Sequence, residues 1–244
     1  WTARTPPPTE PEQGPVAPRR AEARLVVDPG VTQSLQVSWI SPPDLSLDTT
    51  AKRRQDLIQN LGLSVLNRRY SAISRSPSPP FLAAGAYKGQ QDDAAEVATV
   101  AVNADPGRWR EALAAAEQEQ RRLVQYGVRQ NELDREIEEI RTSLKASVAG
   151  AATRRQSELA NDIVESLADH TVVTSPADDL ATFDATVRDL KAETVNAALR
   201  SVFQGQGPLV FMASPTPIEG GEPAVLAALT TSQQVAVSAP AQAA

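Results

Sequence analysis

The chemistry open to this chain is bounded by one histidine, no cysteine and 30 acidic residues. A hydrolytic zinc site of the inverted kind needs two histidines and a glutamate as ligands, with a further carboxylate as base. His170 cannot supply that alone. It follows Asp169 at the end of a long helical pattern, where a ring N–H can satisfy free carbonyls, so it reads as a cap. A serine triad would need His170 as its base, and no Gly-x-Ser-x-Gly elbow accompanies it. Ser143 and Lys145 lie two apart on a helix and face different ways. Asp92-Asp93 falls in a hairpin turn and Asp178-Asp179 at a helix start, both places where acids are structurally favoured. The expected inventory is therefore no catalytic residue, no cofactor-binding residue and no metal ligand.

Arg68, Arg69, Arg75, Arg121, Arg122, Arg154 and Arg155 are the notable cations. One reading makes them a solvated or ion-paired helix face, cheap to remove. The sharper reading docks Arg68 or Arg69 onto an adjoining domain, since a guanidinium suits interface ion pairs.

These residues need elements to hold them. Residues 1–21 are rich in proline, with Pro6, Pro7, Pro8, Pro11, Pro15 and Pro18, and read as a linker. Strands are expected at 23–28 and 33–40, the second alternating Leu35, Val37 and Trp39 against Gln36 and Ser38. Asp48 is the expected N-cap of a long helix whose apolar face carries Leu57, Ile58, Leu61, Val65, Leu66 and Ile73. Pro77, Pro79 and Pro80 end it. Strands at 81–87 and 96–104 follow, joined as a hairpin.

Asp105 and Pro106 should open a helix that bears Trp109, Leu113, Ala116 and Leu123 and ends at Gly127. A very long helical pattern, 131–169, has Gly150 at its middle as a place to kink or break. Helices from Ser175-Pro176 to about Leu190 and over 192–203 precede a buried strand at 209–213. A short helix is expected at 223–229, and 231–244 reads as a second linker. Hairpin strands with long helices imply an α+β domain over 22–230, with a mostly antiparallel sheet and helices on one face.

Apolar residues make up 41% of the 244, enough for a substantial core, and the net charge is -6. An acidic chain does not displace counterions from a nucleic acid. No apolar run approaches the roughly 20 residues that span a bilayer. The chain begins at Trp1, from which an excised piece of a longer protein is expected.

Leu61-Gly62-Leu63-Ser64-Val65-Leu66-Asn67-Arg68-Arg69-Tyr70, the proline turn and Pro80-Phe81-Leu82-Ala83-Ala84 resemble the second, non-catalytic domain of pitrilysin/insulinase-type zinc metallopeptidases. Gly127-Val128 with Glu132-Leu133, Ser175-Pro176, the step from Leu190 to Val195 and Gly207-Pro208-Leu209 extend the resemblance over about 22–230. It implies an α+β unit of the mitochondrial-processing-peptidase-like type. Such units pair into halves, and two halves close around a peptide chamber.

In active members the last domain supplies an arginine and, seven residues on, a tyrosine. Those places fall here on Ser74, beside Arg75, and on Phe81, so nothing catalytic carries over. The resemblance implies a structural domain beside a zinc-bearing domain, with zinc held there. Its partners would be that domain, the second half of the same polypeptide and the peptide substrate. A periplasmic or cell-envelope location in a bacterium is implied, and a dimer is left open. The alternative is an independent scaffold or assembly module without proteolysis.

Overall fold

Alternation builds the sheet. Leu35 and Val37 point one way and are buried, and Val100, Val102, Val210 and Met212 meet them on the same face. The computed structural model describes residues 14–240. Among them five strands, β1 (Glu22–Val27), β2 (Ser34–Ser41), β3 (Ala83–Gln91), β4 (Ala95–Asn103) and β5 (Gln206–Ser214), form one sheet in the order β1-β5-β2-β4-β3. Three of the four pairings are antiparallel, and β1 lies parallel to β5. The expected α+β class and the β3–β4 hairpin are thus observed.

The helices are α1 (Thr50–Ser74), α2 (Trp109–Tyr126), α3 (Gln130–Gly150), α4 (Gln156–Ala168), α5 (Pro176–Val187), α6 (Ala192–Val202) and α7 (Gly221–Gln234). α1 packs on β3 and α6, α2 on β4 and α7, and α3 on α5. Leu61, Leu66, Leu113, Leu123, Leu133, Leu199 and Leu229 are all fully buried between these layers. Gly62 allows α1 to meet α6, because a Cβ there would sit 2.6 Å from the Leu199 side chain. Tyr70 is buried too; its hydroxyl donates to Ala116 O at 2.9 Å and its ring meets Phe81 edge-on at 6.0 Å.

Several boundaries differ from expectation. α1 is capped by Thr49, whose hydroxyl accepts from Lys52 N at 3.2 Å, rather than by Asp48. The Asp48 carboxylate accepts instead from the Arg53 guanidinium, at 2.9 Å, and from Val172 N at 2.8 Å. α2 starts at Trp109, because Asp105 to Arg108 form a turn in which Gly107 has a φ of 86°. Such a backbone angle cannot sit inside a right-handed helix. Gly127 does end α2 with a positive φ of 79°.

The very long helical pattern is two helices. α3 stops at Gly150, a short 3-10 turn follows over Ala151–Thr153, and α4 begins at Gln156. The last helix runs on to Gln234, into the stretch expected as a linker, while residues 236–240 take no regular structure. Val237 is buried, Tyr126 Oη donates to Val237 O at 2.9 Å, and Arg122 Nε to Ser238 O at 3.0 Å. Of the N-terminal linker, 1–13 lie outside the described residues, and 14–20 take no regular structure. No helix among the described residues is long and apolar enough to cross a membrane.

Candidate functional site

His170 sits where α4 ends, in a left-handed conformation with φ 53°. Its backbone N–H, not its ring, returns to the helix, donating to Leu167 O. The ring is 73% exposed and stands 3.6 Å from Asp93 at the tip of the β3–β4 hairpin. A ring cap was the expectation; the loop carries the ring outward to the hairpin instead. No group of three or more histidine or carboxylate side chains able to hold a metal occurs among the described residues.

The remaining candidates are dispersed. Ser143 and Lys145 are exposed on α3. Ser175 caps α5 and accepts from Asp178 N at 3.2 Å, and its hydroxyl in turn holds the Asp178 carboxyl below its ordinary pKa. Asp179 accepts from the Thr174 hydroxyl at 2.6 Å. The acids at 178–179 therefore organise a helix start. Ser74 donates to Ser71 O at 3.1 Å and Arg75 is exposed. Phe81, at the other matched place, is buried against Tyr70.

Arg68 and Arg69 are ion-paired, as the first reading allowed, but their partners lie on other helices of this chain and Arg69 is nearly buried, so neither sits on a simple solvated face. Arg69 is 11% exposed and donates to Glu132 at 2.9 and 2.7 Å, to Glu119 at 3.4 Å and to Gly127 O at 3.1 Å. Burial alone would raise the Glu132 carboxyl, but the hydrogen bonds from Arg69 and from Arg129 N–H outweigh it and hold it below its ordinary value. Arg68 reaches Glu136 and Glu139. The two arginines join α1 to α2 and α3. Arg121 bridges Glu117 to Ser232 O and Val235 O, while Arg154 pairs with Asp162.

A polar cluster that sequence reasoning missed lies where α1 meets the far end of β3. Lys88 Nζ donates to Gln59 Oε1 at 2.8 Å and is 2.8 Å from Glu96. Burial raises the Asp56 carboxyl beside it, against the opposing charges of Lys88 and Lys52. Asp56 and Gln59 are three apart on α1, which was the only signal available in the sequence. An ammonium group occupies this place, held by Gln59 and Glu96.

Each free edge of the sheet meets side chains at part of its length. At β3, Asn67 from α1 accepts from Ala86 N at 2.7 Å and donates to Ala86 O at 3.0 Å. Its amide imitates the strand that is missing. At β1, Glu222 of α7 accepts from Leu25 N at 3.2 Å, and Arg24 donates to Ala23 O at 3.0 Å.

This layer of seven helices on a five-stranded sheet is the fold of M16, pitrilysin/insulinase-like peptidase domains. The first half of the periplasmic protease PqqL from Escherichia coli matches with a TM-score of 0.79 at 15% identity, over 98% of this chain and 51% of that one. The peptidase M16 inactive domain from Pseudomonas fluorescens matches with a TM-score of 0.61 at 15% identity, over 86% of this chain and 47% of that one. In sequence, the chain is 32% identical over 94 residues to the chloroplastic stromal processing peptidase of Arabidopsis thaliana, 38% of this chain and 7% of that protein. No protein-family model matches the sequence. The chain thus spans about half of the PqqL half and a small part of the plant enzyme.

Proposed function

We propose that this chain is a non-catalytic domain of a longer zinc peptidase of the pitrilysin/insulinase type. It packs on a zinc-bearing domain and helps wall the peptide chamber. The observation that carries this reading is the match of nearly the whole chain to half of a peptidase half, in a sequence whose single histidine is exposed at the end of α4. Zinc and the bond-breaking chemistry then belong to the companion domain. This chain contributes a packed layer in which Arg68 and Arg69 pair with its own helices and Lys88 with Gln59 and Glu96. The periplasmic naming of PqqL supports a cell-envelope location.

The test measures bound zinc by elemental analysis, and peptide cleavage, in the 244-residue chain and in the natural polypeptide that contains it. The reading expects neither in the chain and both in the polypeptide. Stoichiometric zinc in the isolated chain, or cleavage there that a chelator abolishes, would sink it.

A further inference from the structure

α4 is amphipathic, yet buries none of its residues. At about 100° per residue, Leu159, Ala160, Ile163, Val164 and Leu167 share one arc of the helix. Glu158, Asp162, Glu165 and Asp169 share a second, beside it. Val164 and Leu167 are 64% and 68% exposed, and Leu159 and Ile163 47% and 38%. The loop that follows is tied to the start of α1 by the bond from Val172 N to Asp48. That tie brings Val172 to Asp48; Val172 and Val173 are exposed, and Leu47, one residue before Asp48, is 84% exposed. An apolar stripe of this width on a surface helix marks a binding face.

The acidic arc decides what covers it. Asp162 is paired with Arg154, while Glu158, Glu165 and Asp169 have no ionic partner among the described residues. A second copy meeting α4 in antiparallel fashion about a two-fold would set acids against acids. An anionic bilayer attracts basic helices and repels this one. A protein surface with an apolar strip and a lysine or arginine rim satisfies both arcs.

We propose that α4, with Leu47, Val172 and Val173, is the face on which a companion domain of the same polypeptide docks through a basic-rimmed apolar strip. This rests on the reading of the chain as one domain of a longer peptidase.

Hydrogen exchange over 156–169 tests it, in the natural polypeptide and in the 244-residue chain. The amides of α4 should exchange at least about tenfold more slowly in the polypeptide. The double variant Ile163→Glu, Leu167→Glu should abolish that difference while leaving the urea midpoint of the isolated chain unchanged. Glu158→Lys with Glu165→Lys should reduce the protection, as should added salt. Equal exchange in both proteins overturns the proposal. So does protection that appears on concentrating the isolated chain, which would make the cover a second copy. A polypeptide that holds no zinc yet protects α4 would defeat the peptidase reading and leave a docking face. One that holds zinc and leaves α4 unprotected would do the reverse.

Discussion

Arg69 shows how one side chain can join three helices. Its guanidinium is nearly buried and serves Glu132, Glu119 and the carbonyl that ends α2. Removing one member of such a group strands the carboxylates it neutralised. Arg69→Ala is therefore expected to cost about 3–5 kcal/mol in urea denaturation, far more than the exposed helix-face arginine of the sequence reading. Asp48 offers a second residue-scale test. Its folded pKa is lowered, chiefly by the Arg53 hydrogen bond, so its stabilising contribution is full above the ordinary aspartate range and is lost as pH falls through it. Asp44, lowered to about 2 by the Ser46 hydroxyl and N–H, acts in the same sense. The urea midpoint should fall between about pH 5 and pH 2. Asp48→Asn should lower it at pH 7 and converge with the wild type at the acid end.

At the scale of elements, burial separates two helices that look alike in sequence. α1 and α4 both carry an apolar stripe, but Leu61 is fully buried and Leu167 is exposed. Leu61→Ala should cost about 2–5 kcal/mol, whereas Leu167→Ala in the isolated chain should stay within about 0.5 kcal/mol; equal losses in chemical denaturation would contradict the packing. Periodicity made the strands, the hairpin and the helix faces legible. It could not tell which apolar face finds a partner within the chain, because that depends on elements distant in sequence. Arg69 and Glu132 lie 63 residues apart, and nothing local announces their meeting. The parallel pairing of β1 with β5 was equally hidden, since alternation fixes a strand's faces but not its neighbours. The absence of a two-histidine helix, by contrast, was plain from one count.

For the molecule as a whole, the first strand lies beside the last, so the two ends of the domain are held in one sheet. The described tail then crosses back to α2, where Tyr126, Arg121 and Arg122 grip carbonyls from Ser232 to Ser238. Composition alone made this stretch look like a linker, because most of the grip comes from side chains elsewhere and, past Gln234, the tail adds only Val237 to the buried set. Ending the chain at Gln234 should lower the thermal midpoint by several degrees, on the order of 1–2 kcal/mol for the lost hydrogen bonds and buried Val237. An unchanged midpoint would return the tail to the status of a passive tether.

The stoppered sheet has a consequence for handling the isolated domain. With Asn67 lodged against Ala86 and Glu222 against Leu25, each edge ladder is interrupted within the chain, which hinders neighbouring molecules from stacking into fibrils. Concentrated solutions should stay clear. Asn67→Ala should turn them cloudy on standing, visible as light scattering that grows with concentration.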